Sequence, residues 1–276
     1  MLARMLAQEL QPRLDASIMV ENRGGGGGAL ANEAIARSPA DGKTLLLGSM
    51  GSQVINPSLR PPTAYDPKLL EPIVLIGSVP SLLVVRPQLP VNSLPELIAY
   101  ARQGHRLSYA SAGPGTTMNI AGEMLNAAAG IRMTHVPYRG AGPATNDLLG
   151  GHVDLMIPDM PAVLPLVGSH AVRALALFGS RRSPLLPEVP TTSELGYAGV
   201  AMENWYGIFV PAGTPNDVQG TLETAMLDAI GSPAVRERLA AGGLFGTKDR
   251  AAFKARLDGD SSHWGPALKR LGVSAE

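Results

Sequence analysis

The stretch Tyr109–Glu123, YASAGPGTTMNIAGE, decides how the chain is read. It begins as the end of a short strand, turns at Gly113, Pro114 and Gly115, and enters a helix at Thr116 or Thr117. Open backbone N–H groups at such a start, the positive end of the helix dipole and nearby hydroxyls together make an anion site. The loop holds no lysine and the chain no GxxxxGK[ST], so this is not a nucleotide P-loop. A small carboxylate suits it better than a triphosphate.

The 276 residues are 45% hydrophobic and 17% charged, enough for two lobes with their own cores. Lys plus Arg number 23, as do Asp plus Glu, so there is no net charge to attract nucleic acid. At 4%, aromatics are too sparse for base-stacking platforms. Cysteine is absent, which excludes thiol catalysis and cysteine metal sites and is compatible with an oxidising compartment. With 32 glycines and 24 prolines the chain turns often, yet apolar segments recur between the turns, so it is not disordered. No apolar run is long enough to span a membrane. At the start, Met1-Leu2-Ala3-Arg4 runs straight into MLAQEL, an amphipathic helix pattern, and no signal peptide is visible.

Strand and helix patterns alternate. Strands are expected at Ile18–Val20, Thr44–Gly48, Ile73–Gly77, Leu82–Arg86, Ser108–Ala110, Met133–Val136, Leu155–Ile157, Val172–Leu177, Ala201–Asn204 and Gly207–Val210. Helices are expected at Leu30–Arg37, after the Ser93-Leu-Pro-Glu96 capping box, after Thr116, across Pro143–Leu149, after Thr214-Pro215 and Ser232-Pro233, and in a tail reaching about Leu271. Alternating βα units predict an α/β fold with mainly parallel sheets, and the number of strands favours two of them. Ligands in such folds sit at the C-terminal ends of strands, where the opening loop lies.

Several stretches admit a chemical and a structural reading. Gly24–Gly28 is a glycine run that matches GxGxxG by default, so it reads as a permissive turn into the next helix in preference to a phosphate loop. Gly48-Ser-Met-Gly-Ser52 is either an ordinary βα turn or a set of backbone N–H groups and Ser49 and Ser52 hydroxyls presented to a polar ligand. His135-Val-Pro-Tyr138-Arg139-Gly140 offers a guanidinium to a carboxylate or simply a solvated arginine; His135 itself reads as structural. Asp159, at another strand end, is an acid, a ligand contact or, in its ordinary role, a helix cap. Ser111 and Ser49 have no GxSxG context and no evident His or Asp partner, which speaks against a serine hydrolase. Trp205-Tyr206 reads as packing before it reads as a cleft wall. The histidines show no metal spacing.

Six co-linear stretches, VENRGGGGG, ADGKTLLLGSMGSQVINP, LSYASAGPGTTMNIAGE, THVPYRGAGPATNDLLGGHVDLM, RALALFGSRRSPLLPEVPTTSELGY and WYGIFVPAGTP, resemble the tripartite tricarboxylate transporter substrate-binding receptors, or Bug receptors. The resemblance runs from about Leu2 to Val273. It implies a periplasmic, two-lobed, Venus-flytrap binding protein of the type II kind, a monomer without cofactor or metal, that passes a small carboxylate to membrane permease subunits. Lobe 1 would comprise 1–82 and 208–276, lobe 2 83–207, with crossings near 80–85 and 205–210. Carried over position by position, the ligand would meet Ser111, Ala112, Gly113, Gly115, Thr116 and Thr117 in lobe 2. In lobe 1 it would meet Gly48, Ser49, Gly51 and Ser52. Tyr138, Arg139 and Asp159 would line the cleft further on.

Two departures stand out. Gly24 replaces the proline that usually follows Asn-Arg. The family also begins with a signal peptide and a first strand ending in a Pro- and Gly-rich loop, one half of the carboxylate pincer, whereas this chain opens in the helix after it. The expectation is therefore an N-terminally incomplete sequence, through a late start codon or a gene fragment, or, if the chain is real as given, weak or no carboxylate binding and reduced stability. Two other classes remain open: a sensory binding protein serving a signalling partner, and an enzyme on the same scaffold using Asp159 or His135 as acid or base.

Overall fold

In the computed structural model, which describes residues 2–59 and 66–273, apolar continuity sets the longest strand. Strand β2, Leu70–Val85, is buried along nearly all of its 16 residues. A central strand covered on both faces reads this way, without polar alternation. The separate strands expected at Ile73–Gly77 and Leu82–Arg86 are thus one. Pro80, which has no N–H to donate, does not interrupt it: Ser78 and Ser81 on either side donate to the carbonyls of Phe245 and Met202. Likewise the strands expected at Ala201–Asn204 and Gly207–Val210 merge into β7, Glu203–Pro211. Ile18–Val20 forms no strand. Met19 stands 92% exposed there, and no described residue ladders with it.

The chain divides into two compact units, with the divisions inside β2 at Ser78/Val79 and inside β7 at Asn204/Trp205. The first unit holds Met1–Gly24, Gly28–Ser78 and Trp205–Gly265. Its sheet sets β1, Leu46–Ser49, antiparallel to β7, which neighbours β2. Helix α1, Leu2–Leu14, buries Leu6 and Leu10 against Ile73, Val74, Ile208 and Val210. Also in this cluster are Leu222, Met226 and Ile230 of α8, Asn216–Gly231, whose apolar face was legible at helical spacing. Helix α9, Pro233–Ala241, opens on Ser232, whose Oγ accepts from the Val235 N–H at 3.4 Å. Trp205 is packed, not a cleft wall in this unit. Its ring meets Phe253 edge-on at 5.1 Å, and its indole N–H donates to Asp260 at 2.8 Å.

The second unit is Val79–Asn204 with Gly25–Gly27 and the C-terminal segment from Pro266. Strand β3, Ser108–Ser111, lies parallel to β4, Thr134–Pro137, on one side and to β5, Leu155–Met156, on the other. The end of β2 pairs antiparallel with β5 and with β6, Arg173–Phe178, so the sheet is mixed. Helix α4, Leu94–Arg102, starts as expected: Ser93 Oγ accepts from the Glu96 N–H at 3.3 Å. The Glu96 carboxylate takes the N–H of Asn92, one residue beyond the usual capping-box partner. Asp154 fastens this sheet at its N-terminal edge, receiving Arg86 at 2.9 Å and the Ser108 N–H at 2.8 Å. Helices α5, Thr117–Ala129, and α6, Ala141–Leu149, follow β3 and β4, and α7, Met160–Gly168, follows β5. None of the described helices is long and apolar enough to cross a membrane.

Candidate functional site

The C-terminal end of β3 runs through Ser111 into the loop and then into α5, so the opening stretch forms the strand–turn–helix expected of it. Gly113 and Gly115 take φ values of 123° and 74°, which side-chain-bearing residues rarely adopt. Those two positions let the chain reverse within one loop. Thr116 is the N-cap of α5, accepting from the Asn119 N–H at 3.4 Å while its own hydroxyl donates to the Gly113 carbonyl at 2.7 Å.

Hydrogen-bond accounting separates the loop's donors into two groups. The Gly113 N–H donates to Ser111 Oγ at 3.1 Å and the Gly115 N–H to Asn119 Oδ1 at 3.2 Å. Those amides, with the Ser111 and Thr116 hydroxyls, hold the loop itself together. By contrast, the N–H groups of Ala112, Thr117 and Met118 and the Thr117 hydroxyl have no hydrogen-bond partner among the described residues. Thr117 and Met118 stand in the first turn of a 13-residue helix that carries no acidic residue there, and Ala112 stands in the loop before it. The dipole end and the open donors therefore both favour an anion.

Behind the loop lies a polar cluster that the sequence did not disclose. Ser111, expected to lack a histidine partner, has one: its Oγ is 2.6 Å from His135 Nε2. The parallel register of β3 and β4 sets Tyr109 beside His135, and the two rings stack at 4.9 Å. Asn119 Nδ2 donates to the Tyr109 hydroxyl at 3.0 Å, and that hydroxyl donates to Glu123 at 2.5 Å. Burial, followed by the bond to Glu123, pushes the Tyr109 phenol well above its ordinary range. Burial lowers the His135 pKa, with the Glu123 carboxylate acting against it. Asn119, Glu123 and His135 are thus site-building residues. The one signal for Asn119 in the sequence is its place three residues after the cap, where its side chain reaches back over the first turn.

This Ser–His pair is not a nucleophile and its base. The Gly115 N–H is a donor, so it fixes Oδ1 of Asn119 on its side and turns Nδ2 toward His135 Nδ1, 3.5 Å away. Nδ1 is then the acceptor and the ring proton sits on Nε2, where it donates to Ser111 Oγ. The serine proton goes to the Gly113 carbonyl at 3.2 Å. An imidazole that gives a proton to the serine oxygen is not poised to remove one.

The first-unit turn is built differently. After β1, Gly51–Ile55 makes a single π-helical turn that leads into α3, Asn56–Leu59. Ser52 Oγ accepts from the Ser49 N–H at 3.1 Å and donates to the Ser49 carbonyl at 3.2 Å, so the hydroxyl is turned into the turn itself. A Cβ on Gly48 would come within 2.7 Å of Phe209 Cε2, which explains the glycine. Gln53 Nε2 donates to Asn32 Oδ1 at 2.5 Å, linking this turn to α2, Ala29–Ala36, whose entry is the glycine run. The Gly28 carbonyl accepts from Asn32 Nδ2 at 2.9 Å. Asn32 and Gln53, both buried, had no sequence signal of their own.

The remaining candidates differ in their surroundings. Tyr138 donates its hydroxyl to Asp147 at 2.6 Å, and that bond pushes the phenol up to about 12. Arg139 is exposed and forms no ion pair with a described carboxylate. Asp159 precedes α7 without the expected cap: it makes no side-chain cap bond, and its Oδ2 instead accepts from Asn204 at 2.8 Å. The described residues hold no cluster of His, Cys, Asp or Glu suited to a metal.

The fold matches that of the periplasmic binding protein BugD with a TM-score of 0.92 at 33% identity, covering 99% of this chain and 92% of that one. The R. palustris protein Rpa4515, solved with adipate, matches with a TM-score of 0.94 at 32% identity and the same coverage. The chain is a solute-binding receptor of this α/β, two-lobed type, not an enzyme. Residues 2–273 match the tripartite tricarboxylate transporter family receptor (TctC) family, and the chain belongs to it. BugT of Bordetella pertussis (strain Tohama I) is 40% identical over 248 residues, 88% of this chain and 75% of that protein.

Proposed function

We propose that the protein is a periplasmic receptor that binds one carboxylate group of a small organic acid at the Ser111–Thr117 loop. It then presents that acid to the membrane permease subunits of a tripartite transporter. The observation that carries this reading is the set of open donors, the Ala112 N–H in the loop and the Thr117 and Met118 N–H groups with the Thr117 hydroxyl at the head of α5. Carboxylate oxygens accept well from N–H donors, and the helix end stabilises their charge without a lysine. Gly113, Gly115, Ser111 and Thr116 act in this reading as the frame that aims those donors. Gly48, Ser49, Gly51 and Ser52 are proposed as ligand-binding positions of a separately built turn, in which the Ser49 N–H is already held by Ser52 Oγ. Tyr138, Arg139 and Asp159 are proposed as further contacts, with the Arg139 guanidinium, which pairs with no described carboxylate, suited to a second carboxylate. That Rpa4515 was solved with adipate supports an acid of this size.

Calorimetric titration of the protein with adipate and with shorter and longer linear mono-, di- and tricarboxylates tests the reading. Saturable binding of at least one acid, with a matching rise in the thermal midpoint, is expected. Failure of every acid to bind the folded protein at millimolar concentration overturns it.

A further inference from the structure

We propose that His135 is the positioning residue of the anion loop, a role that rests on the carboxylate reading above for its functional meaning. The chain of bonds is continuous. The Gly115 N–H orients the Asn119 amide, which turns Nδ2 toward His135 Nδ1 and so places the ring proton on Nε2. That proton goes to Ser111 Oγ at 2.6 Å. With its lone pairs receiving His135 and the Gly113 N–H, the serine hydroxyl is left one orientation, toward the Gly113 carbonyl. Both polar groups around Gly113 are thereby turned inward, and the Ala112, Thr117 and Met118 amides are left to face the ligand.

Stacking on Tyr109 at 4.9 Å holds the ring itself in place. The ring is half-buried and Ser111 fully buried, so water does not readily substitute for the lost donor. His135 thus acts on the ligand through Ser111 and Gly113 without touching it. It tells apart two anions only in how well they fit the donors it leaves open.

Two variants separate this role from simple packing. His135→Phe keeps a stacking ring and removes the donor. His135→Gln carries an amide N–H at about the reach of Nε2. In wild-type protein, a long-range proton–nitrogen spectrum is expected to show the Nε2–H tautomer. Gly113 amide exchange is expected to speed up roughly tenfold in His135→Phe, and adipate affinity to fall roughly tenfold, as one lost bond of about 1.4 kcal/mol implies. His135→Gln is expected to restore both. An Nδ1–H tautomer, or unchanged Gly113 exchange in His135→Phe, overturns the inference, and the tautomer measurement needs no variant to fold. The expected exchange pattern in a wild-type protein that binds no acid overturns the carboxylate reading alone.

Discussion

Tyr109 packs against Gly122: a Cβ built on Gly122 would come within 2.4 Å of Tyr109 Cε2. The strand residue that carries the polar cluster and the helix that presents the anion donors are therefore in direct contact, at a place where only a glycine fits. Gly122→Ala forces the ring or the helix to shift. The expected result is a loss of about 1–3 kcal/mol, typical of overpacking, against a gain of at most about 1 kcal/mol from alanine's helix propensity. Denaturant unfolding reads the difference, and an alanine variant as stable as wild type would show that the helix retreats at no cost.

Neighbouring threonines at the head of α5 are expected to separate stability from binding. Thr116 caps the helix, so Thr116→Val is expected to cost about 1 kcal/mol of stability. Thr117's hydroxyl has no partner among the described residues, so Thr117→Val is expected to leave stability nearly unchanged. On the carboxylate reading it weakens acid binding roughly tenfold, the value of a bond to a charged group. Thermal midpoints and adipate titration on the two variants check both halves. The reverse pattern would place the ligand elsewhere.

The depressed pKa of His135 makes stability depend on pH. Its folded value lies below the unfolded value near 6.5, so on acidification the unfolded chain takes up the proton first. The contribution is present above pH 6.5 and is lost as pH falls from there toward the folded value. Wild-type protein is accordingly expected to lose thermal stability between pH 7 and pH 5 faster than His135→Gln, which cannot titrate. Parallel melting curves for the two proteins across that range would remove His135 from the account.

Local chemistry explains what was legible. The Gly113–Thr117 turn, the Ser93 and Ser232 caps and the apolar face of α8 depend on near neighbours, and each was read in its place. Long strands were read less well. The sequence pattern reads as two strands, Ile73–Gly77 and Leu82–Arg86, whereas partners on neighbouring segments carry one strand through Gly77 and Pro80. Asp159 looked like a cap, since an aspartate before a helix usually is one. Asn204, 45 residues further on, takes its carboxylate instead.

By itself, the sequence determined the α/β alternation, the strand–turn–helix of the anion loop, the absence of a P-loop or cysteine chemistry, and the family resemblance. These follow from composition, spacing and local turn chemistry. The tertiary structure alone decided which donors of that loop stay open. Ser111 and His135 are 24 residues apart, and only the parallel pairing of β3 with β4 brings them to 2.6 Å. A hydrogen bond across strands depends on register, which no local pattern encodes, so the same serine that looked partnerless in the sequence is the anchor of the site.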